Sequence, residues 1–374
     1  MKIMINTAHQ RFGGAVQVAL SFINECRDFR EHEYFIMLGP GLQKLVHEEQ
    51  FPENFHFEKF DFGVINFHKS FVIHRALRAM EKRYQPDVVI STTGPTYFHS
   101  KAPQIIGFNL PLYIYPESPY LQTYTRVQKL NFIFKKKLHY YFFKRDVSAV
   151  VTQTDDVNQR VRKELGFDKV YTITNTASTY YNLPESCPNK LAPKSDSLYR
   201  FVTISAFYKH KNLELIADLA KTLVKRGRKN FEFVLTIKPE EFQRIFKGQA
   251  NITTVGPVPP KECPSLYREC DAMFLPTLAE CFSASYPEAM LMSKPIITTD
   301  LGFARSICGK AALYFKAKDV KAAADQIERL LDDKQLEAAL IAQGHEEFKK
   351  FDSPQERARK YLKLCESLNL GINA

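Results

Sequence analysis

Apolar positions in this chain come in short uninterrupted blocks, separated by stretches whose apolar residues recur every three to four positions. The blocks at 2–6, 34–38, 87–91, 104–108, 149–152 and 169–174 have the length of strands. Being apolar throughout, with little alternation, they fit strands covered on both faces, as in a parallel sheet. The stretches between them, including 15–26 and 70–83, have helical periodicity. After a polar, proline-bearing segment at 182–196 the pattern restarts, with strands at 200–205, 231–237, 252–255, 272–275 and 295–298 and a helix at 213–226. Amphipathic helices follow at 326–333 and 335–351, and a last one at 353–368. The expected fold class is α/β, as two Rossmann-like doubly wound domains: 1–183, a linker at 184–196, 197–352, and a closing segment at 353–374.

Composition narrows the picture. A chain of 374 residues is too long for one ordinary core, and 45% hydrophobic with 25% charged residues marks a folded protein. No apolar run approaches the roughly 18–20 residues of a membrane span. The opening M-K-I-M-I-N reads as a first strand, not as a signal peptide. Seven cysteines, scattered singly and without C-x-x-C, argue against a disulfide framework or zinc site and for a reducing compartment. The expected location is cytoplasmic. A net charge of +11 favours anionic partners: nucleic acid, a phosphate-rich substrate, or an acidic membrane face.

The chemistry concentrates at 271–300, D-A-M-F-L-P-T-L-A-E-C-F-S-A-S-Y-P-E-A-M-L-M-S-K-P-I-I-T-T-D. A buried strand leads into a loop carrying Glu280, a short helix carrying Glu288, and a second strand. Ser285 is placed to cap that helix, with Pro287 in its first turn and Glu288 at capping-box spacing. Two carboxylates at the carboxyl edge of a parallel sheet can accept hydrogen bonds from vicinal hydroxyls, and free backbone N–H groups there suit phosphate. A nucleotide-sugar offers both. The plainer reading makes Glu288 a capping residue and Glu280 a solvated charge.

The E-x7-E spacing of Glu280 and Glu288 and its surroundings resemble the donor-site signature of family-four (group 1) glycosyltransferases with the GT-B fold. That resemblance implies two Rossmann-like domains facing across a cleft, with a C-terminal helix returning to the first. It implies that Glu288 holds the donor ribose, that Glu280 approaches the transferred sugar, and that the loop through Phe282 and Ser283 offers N–H groups to the diphosphate. Family loops have glycine where this chain has Cys281 and Ser283. The K-N at Lys211–Asn212 matches the family's diphosphate-binding lysine. Ala206 stands where an arginine is common, leaving Lys209 to compensate. Lys209, His210, Lys211 and Asn212 are also expected at a helix start, where N–H groups would complete an anion site. Gly13 and Gly14, after the first strand, resemble the family's loop toward the donor phosphates; an ordinary tight turn is the alternative. Asn109 stands roughly where relatives carry a sugar-positioning histidine. The nearby His99 reads as a surface or core residue.

From Lys129 to Arg145, K-L-N-F-I-F-K-K-K-L-H-Y-Y-F-F-K-R interleaves rings with cations. Such a helix can lie on an anionic membrane, or can pack its rings inward as a crossover helix with solvated lysines. No nucleic-acid motif accompanies it. The resemblance implies a retaining glycosyltransferase moving a sugar from a nucleotide-sugar to a hydroxyl of a glycan or lipid-linked acceptor, of the cell-surface polysaccharide type. No D-x-D occurs, and neither metal nor cofactor is expected. The enzyme is expected in the cytoplasm or peripherally on the inner membrane face, without a nucleic-acid partner. The alternatives are a nucleotide-sugar epimerase of the same fold and a non-catalytic basic membrane- or nucleic-acid-binding module.

Overall fold

The structure is a computed structural model that describes residues 1–63, 67–182 and 188–371. The chain forms two compact units. The first comprises Met1–Ile114, Tyr124–Asn175 and Asp352–Ala374, the second Tyr115–Thr123 and Thr176–Phe351.

The first unit is built on seven parallel strands: β1 (Lys2–Asn6), β2 (Glu33–Leu38), β3 (Phe55–Lys59), β4 (Val88–Ser91), β5 (Gln104–Gly107), β6 (Ala149–Thr152) and β7 (Val170–Thr172). Their order is β3-β2-β1-β4-β5-β6-β7, so the winding reverses between β1 and β4. Helices α1 (Gly14–Glu25), α2 (Phe67–Tyr84), α3 (Pro111–Ile114), α4 (Arg126–Asp146) and α5 (Asp155–Leu165) connect them. Every residue of β4 and β6 is buried, as double-sided coverage requires.

The second unit has six parallel strands: β8 (Tyr199–Thr203), β9 (Phe231–Leu235), β10 (Ile252–Thr254), β11 (Ala272–Leu275), β12 (Ile296–Thr299) and β13 (Ala312–Phe315). The order is β10-β9-β8-β11-β12-β13, with reversal between β8 and β11. Its helices are α6 (Leu215–Lys225), α7 (Pro239–Phe246), α8 (Cys263–Arg268), α9 (Ser285–Leu291), α10 (Gly302–Cys308), α11 (Val320–Asp332) and α12 (Lys334–Phe348). The sheet and helices share one core, centred on Phe201, Phe233, Phe274 and Ile297.

The final helix, α13 (Pro354–Asn369), starts at Ser353, whose hydroxyl accepts from Glu356 N–H, with proline at its first position. It returns to the first unit. Tyr361 meets Phe22 of α1 at 4.9 Å between ring centroids, and Leu362 and Cys365 enter the core. Arg357 is buried against the Glu25 carboxylate, with Nε 3.1 Å from Oε2, and also bonds Ser21 Oγ at 2.8 Å.

The strands expected from the sequence all form, to within one or two residues at each end. β3 and β13 are additional, and each occupies a sheet edge. The expected linker overlaps 183–187, which lie outside the described residues. The change of unit falls at Asn175–Thr176, ahead of the expected 183. The rest of the linker is fastened to the second unit, where Lys190 N–H donates to the Glu269 carboxylate at 3.0 Å. Residues 115–123, placed by sequence in the first domain, pack with the second. Ser118 Oγ donates to Leu278 O at 2.7 Å, Lys318 Nζ donates to Pro119 O at 2.9 Å, and Tyr115 meets Phe303 edge-on.

Candidate functional site

In an open parallel sheet the loops that diverge at the reversal point leave a crevice at the carboxyl ends of the strands. In the second unit these are the loops after β8 and β11. The first contains a tight turn at Lys209–Lys211, followed by Asn212 in the left-handed region at φ 55°. The second runs from Pro276 to Ala284. They are stapled together: Leu278 N–H donates to His210 O at 2.7 Å, and Thr299 Oγ1 fixes Thr277 O at 2.6 Å from the neighbouring strand. Burial lowers the His210 pKa, so this ring is neutral at physiological pH. Helix α6 begins at Leu215, two residues later than expected, so the lysines lie in the turn ahead of it.

What the staple assembles is an ion pair. Glu280 is 8% exposed, and its Oε1 accepts from Thr277 Oγ1 at 2.8 Å and from Lys211 Nζ at 2.5 Å. The two residues stand 69 positions apart, which gives no local sequence signal of contact. Lys209 is exposed beside them. Two groups expected to meet different parts of one ligand thus pair with each other.

Glu288 sits in α9, but the expected cap is absent. Ala284 is already helical and occupies the cap position, leaving Ser285 inside the helix with its hydroxyl donating to Ile204 O at 3.4 Å. Glu288 is therefore no capping residue; it turns inward. A window to solvent remains, yet protein encloses the carboxyl, and burial pushes its pKa up from 4.5 to about 7. The Tyr181 hydroxyl acts the other way, favouring the carboxylate. That hydroxyl is itself buried, and among the described residues none meets it at full hydrogen-bond geometry. A carboxyl titrating near neutrality beside a buried hydroxyl leaves hydrogen-bonding capacity for a ligand.

Between the glutamates, Cys281 and Ser283 are buried and Phe282 lies edge-on to Phe351 at 5.9 Å. Burial pushes the Cys281 thiol up, so it is an unreactive core group. Side chains anchor this loop where the family resemblance has glycine.

The first unit has its own reversal point, between β1 and β4, and there sequence reasoning missed a cluster. Gln10 Nε2 donates to Thr92 Oγ1 at 2.6 Å, and His9 Nε2 lies 3.2 Å from Thr93 Oγ1. Among the described residues, His9 Nδ1, Gln10 Oε1 and, after β5, Asn109 Oδ1 are buried without partners. Burial holds His9 at about 4, hence neutral. The available signal was positional: H-Q follows β1 and T-T follows β4, both at carboxyl ends. Gly107 holds these strand ends together, since a Cβ there would fall 2.2 Å from Thr92 O. Gly13 precedes α1 at φ 84° and ψ −167°, a conformation open essentially to glycine alone, whereas a side chain at Gly14 would meet nothing. His99 lies at the surface, 3.7 Å from the Asp146 carboxylate, apart from this cluster.

Comparison with known proteins places these features. The family model described as "Glycosyl transferases group 1" matches residues 199–333, which include Lys211, Glu280 and Glu288. No curated protein matches the chain. Among solved structures, sucrose-phosphate synthase from Thermosynechococcus elongatus is similar with a TM-score of 0.73 at 13% identity, covering 99% of both chains. Anabaena HepE in complex with UDP and glucose is similar with a TM-score of 0.71 at 14% identity, covering 98% of this chain and 100% of that one. WaaG, a glycosyltransferase involved in lipopolysaccharide biosynthesis, has a TM-score of 0.71 at 14% identity, covering 98% of this chain and 99% of its own. At these identities the structural likeness carries the fold.

Proposed function

We propose that this chain, whose residues 199–333 match a group 1 glycosyltransferase model on a GT-B fold, performs a retaining, metal-independent transfer from a nucleotide-sugar to a hydroxyl of a glycan or lipid-linked acceptor. The observation that carries this reading is the arrangement around β11: an exchangeable Lys211–Glu280 pair in one loop and the inward Glu288 in the next helix. A diphosphate competes with Glu280 for the Lys211 ammonium, and Lys209 adds a second cation. Glu280, released, accepts from hydroxyls of the transferred sugar. Glu288 accepts from the ribose hydroxyls, which favour its ionised form. These groups supply charge where the leaving diphosphate develops it.

In the step we propose, the bond from the anomeric carbon to the diphosphate oxygen breaks, and the acceptor oxygen bonds to that carbon from the same face. The acceptor proton passes to the departing diphosphate. Glu280 then acts by orienting the sugar and stabilising positive charge on its ring. In the first unit, the Gln10 and Asn109 carbonyl oxygens, unpaired among the described residues, suit hydroxyl donors, and His9 Nδ1 offers a further polar contact; we assign these groups to the acceptor.

HepE, with UDP and glucose, makes UDP-sugars the first donors to test. A panel of nucleotide-sugars read by thermal shift identifies the donor, since a binder raises the melting temperature by mass action. Product anomer, followed by NMR with and without EDTA, then tests retention and metal independence. An inverted product, or activity lost to EDTA and restored by a divalent ion, overturns the corresponding part. Conversion of donor to an epimer without acceptor replaces the reading by the epimerase.

A further inference from the structure

The first unit also presents a surface that its core and its polar cluster leave unused. Helix α4 spans 21 residues, about 30 Å at 1.5 Å per residue, and is firmly started: Thr125 and Gln128 cap each other reciprocally. One face packs inward. His139 bonds the hydroxyls of Tyr97 and Tyr113, each at 3.1 Å, and Phe142 and Phe143 are buried. For these rings the crossover-helix reading holds.

The opposite face carries apolar residues as well. Val127, Leu130, Phe134 and Tyr141 are 67%, 68%, 71% and 58% exposed, and Ile133 borders them. Their spacing, i, i+3, i+7 and i+14, makes one stripe along the helix. Exposed cations flank it: Arg126, Lys129, Lys135, Lys137 and Lys144. The helix's only acidic residue, Asp146, is buried and paired with Arg145. Lys136, expected among the solvated lysines, instead turns to Glu164 at 2.6 Å. Uncovered apolar surface of this extent marks an interaction site.

Charge selects the occupant. A second copy meeting this face through its own would oppose like cations. A nucleic acid would satisfy the cations and leave the apolar stripe wet. An anionic bilayer surface satisfies both, with headgroups against the lysines and acyl chains against the stripe. Among the described residues no helix is long and apolar enough to cross a membrane, so this helix would lie along the surface. We propose that α4 is a membrane-docking element whose Val127–Leu130–Phe134–Tyr141 stripe enters the interface of an anionic leaflet.

The test is co-sedimentation of the full chain with vesicles of phosphatidylcholine alone and with about one-third phosphatidylglycerol. Wild type is expected to pellet with the acidic vesicles and be released as salt shortens the Debye length, about 10 Å at 0.1 M. Replacing Lys129, Lys135, Lys137 and Lys144 with glutamine should weaken binding by up to about fivefold per lysine, from about 1 kcal/mol each at about 1.4 kcal/mol per tenfold. Leu130→Gln with Phe134→Gln should weaken it at least tenfold while leaving its salt dependence in place. Both variants should melt with the wild type, since the altered side chains are exposed. Wild type that ignores acidic vesicles, or variants that bind as wild type does, overturn the proposal. So does a dimer, seen by ultracentrifugation without lipid, that Leu130→Gln and Phe134→Gln dissociate.

Discussion

Glu288→Gln separates the folding role of this residue from its binding role through pH. Enclosure raises the carboxyl from 4.5 to about 7. A raised carboxyl pKa means that the folded chain holds a proton the unfolded chain has lost. Stability is therefore greatest below about 4.5, falls as pH rises from there, and levels off above about 7. At about 1.4 kcal/mol per pH unit, the full penalty is about 3 kcal/mol. Glutamine has no proton to lose, so the variant should gain on wild type across this window. For a unit of this size the change in melting-temperature difference is on the order of 5–10 °C between pH 4.5 and 8. Donor binding should move the opposite way. If the ribose hydroxyls need the carboxylate, wild-type affinity falls about tenfold per pH unit below 7, while the variant is weaker at pH 8 by about 1–2 kcal/mol and nearly flat. Differential scanning fluorimetry and calorimetry at matched pH read both. Parallel melting profiles for the two proteins refute the raised carboxyl, and unchanged donor affinity at pH 8 refutes the ribose contact.

Lys211→Ala should cost nucleoside diphosphate affinity more than nucleoside affinity, because the ammonium is assigned to phosphate; an equal loss by calorimetry assigns it to the fold instead. It should also lower the melting temperature, since among the described residues Glu280 then keeps Thr277 alone as a side-chain partner, and adding Glu280→Gln should restore stability without restoring binding. Glu280→Ala should reduce turnover more than donor affinity, if its contact strengthens as the sugar leaves; steady-state kinetics showing only a raised KM reverse that role. Arg357→Ala should destabilise the first unit by about 3–5 kcal/mol, because it leaves Glu25 buried without its cation, and denaturant unfolding measures the loss.

The elements legible in the sequence were those whose signal is local. Fully buried strands such as A-M-F-L and V-V-I-S are apolar at every position, and the helices between them are periodic. The edge strand F-H-F-E-K is half-exposed beyond Phe55, so its pattern weakens into that of a loop. At the site, the two glutamates and Lys211 were visible as residue types at a spacing. Their pairing was not, because Lys211 reaches Glu280 through tertiary folding. The cap at Ser285 failed for a related reason: the chain is already helical at Ala284, so the hydroxyl is diverted to the Ile204 carbonyl just past β8. His9 and Gln10 escaped notice because their significance comes from the end of β4, which lies next to β1 in space although Gln10 and Thr92 stand 82 positions apart in sequence.

The passage of the chain between units bears on how this protein can be dissected. The polypeptide changes unit four times, at 114–115, 123–124, 175–176 and 351–352. No single cut releases either unit whole. A fragment ending at Asn175 lacks α13, so Phe22 loses its ring partner and Glu25 its guanidinium. A fragment from Thr176 to Phe351 lacks residues 115–123, uncovering Phe303 and the Leu278 carbonyl beside the Glu280 loop. Domain-swapped chimaeras with other glycosyltransferases therefore need three segments exchanged together for the first unit and two for the second. A circular permutant opened within 183–196 cuts inside the second unit and keeps all four crossings, and so preserves α13 on α1 and residues 115–123 on the second unit.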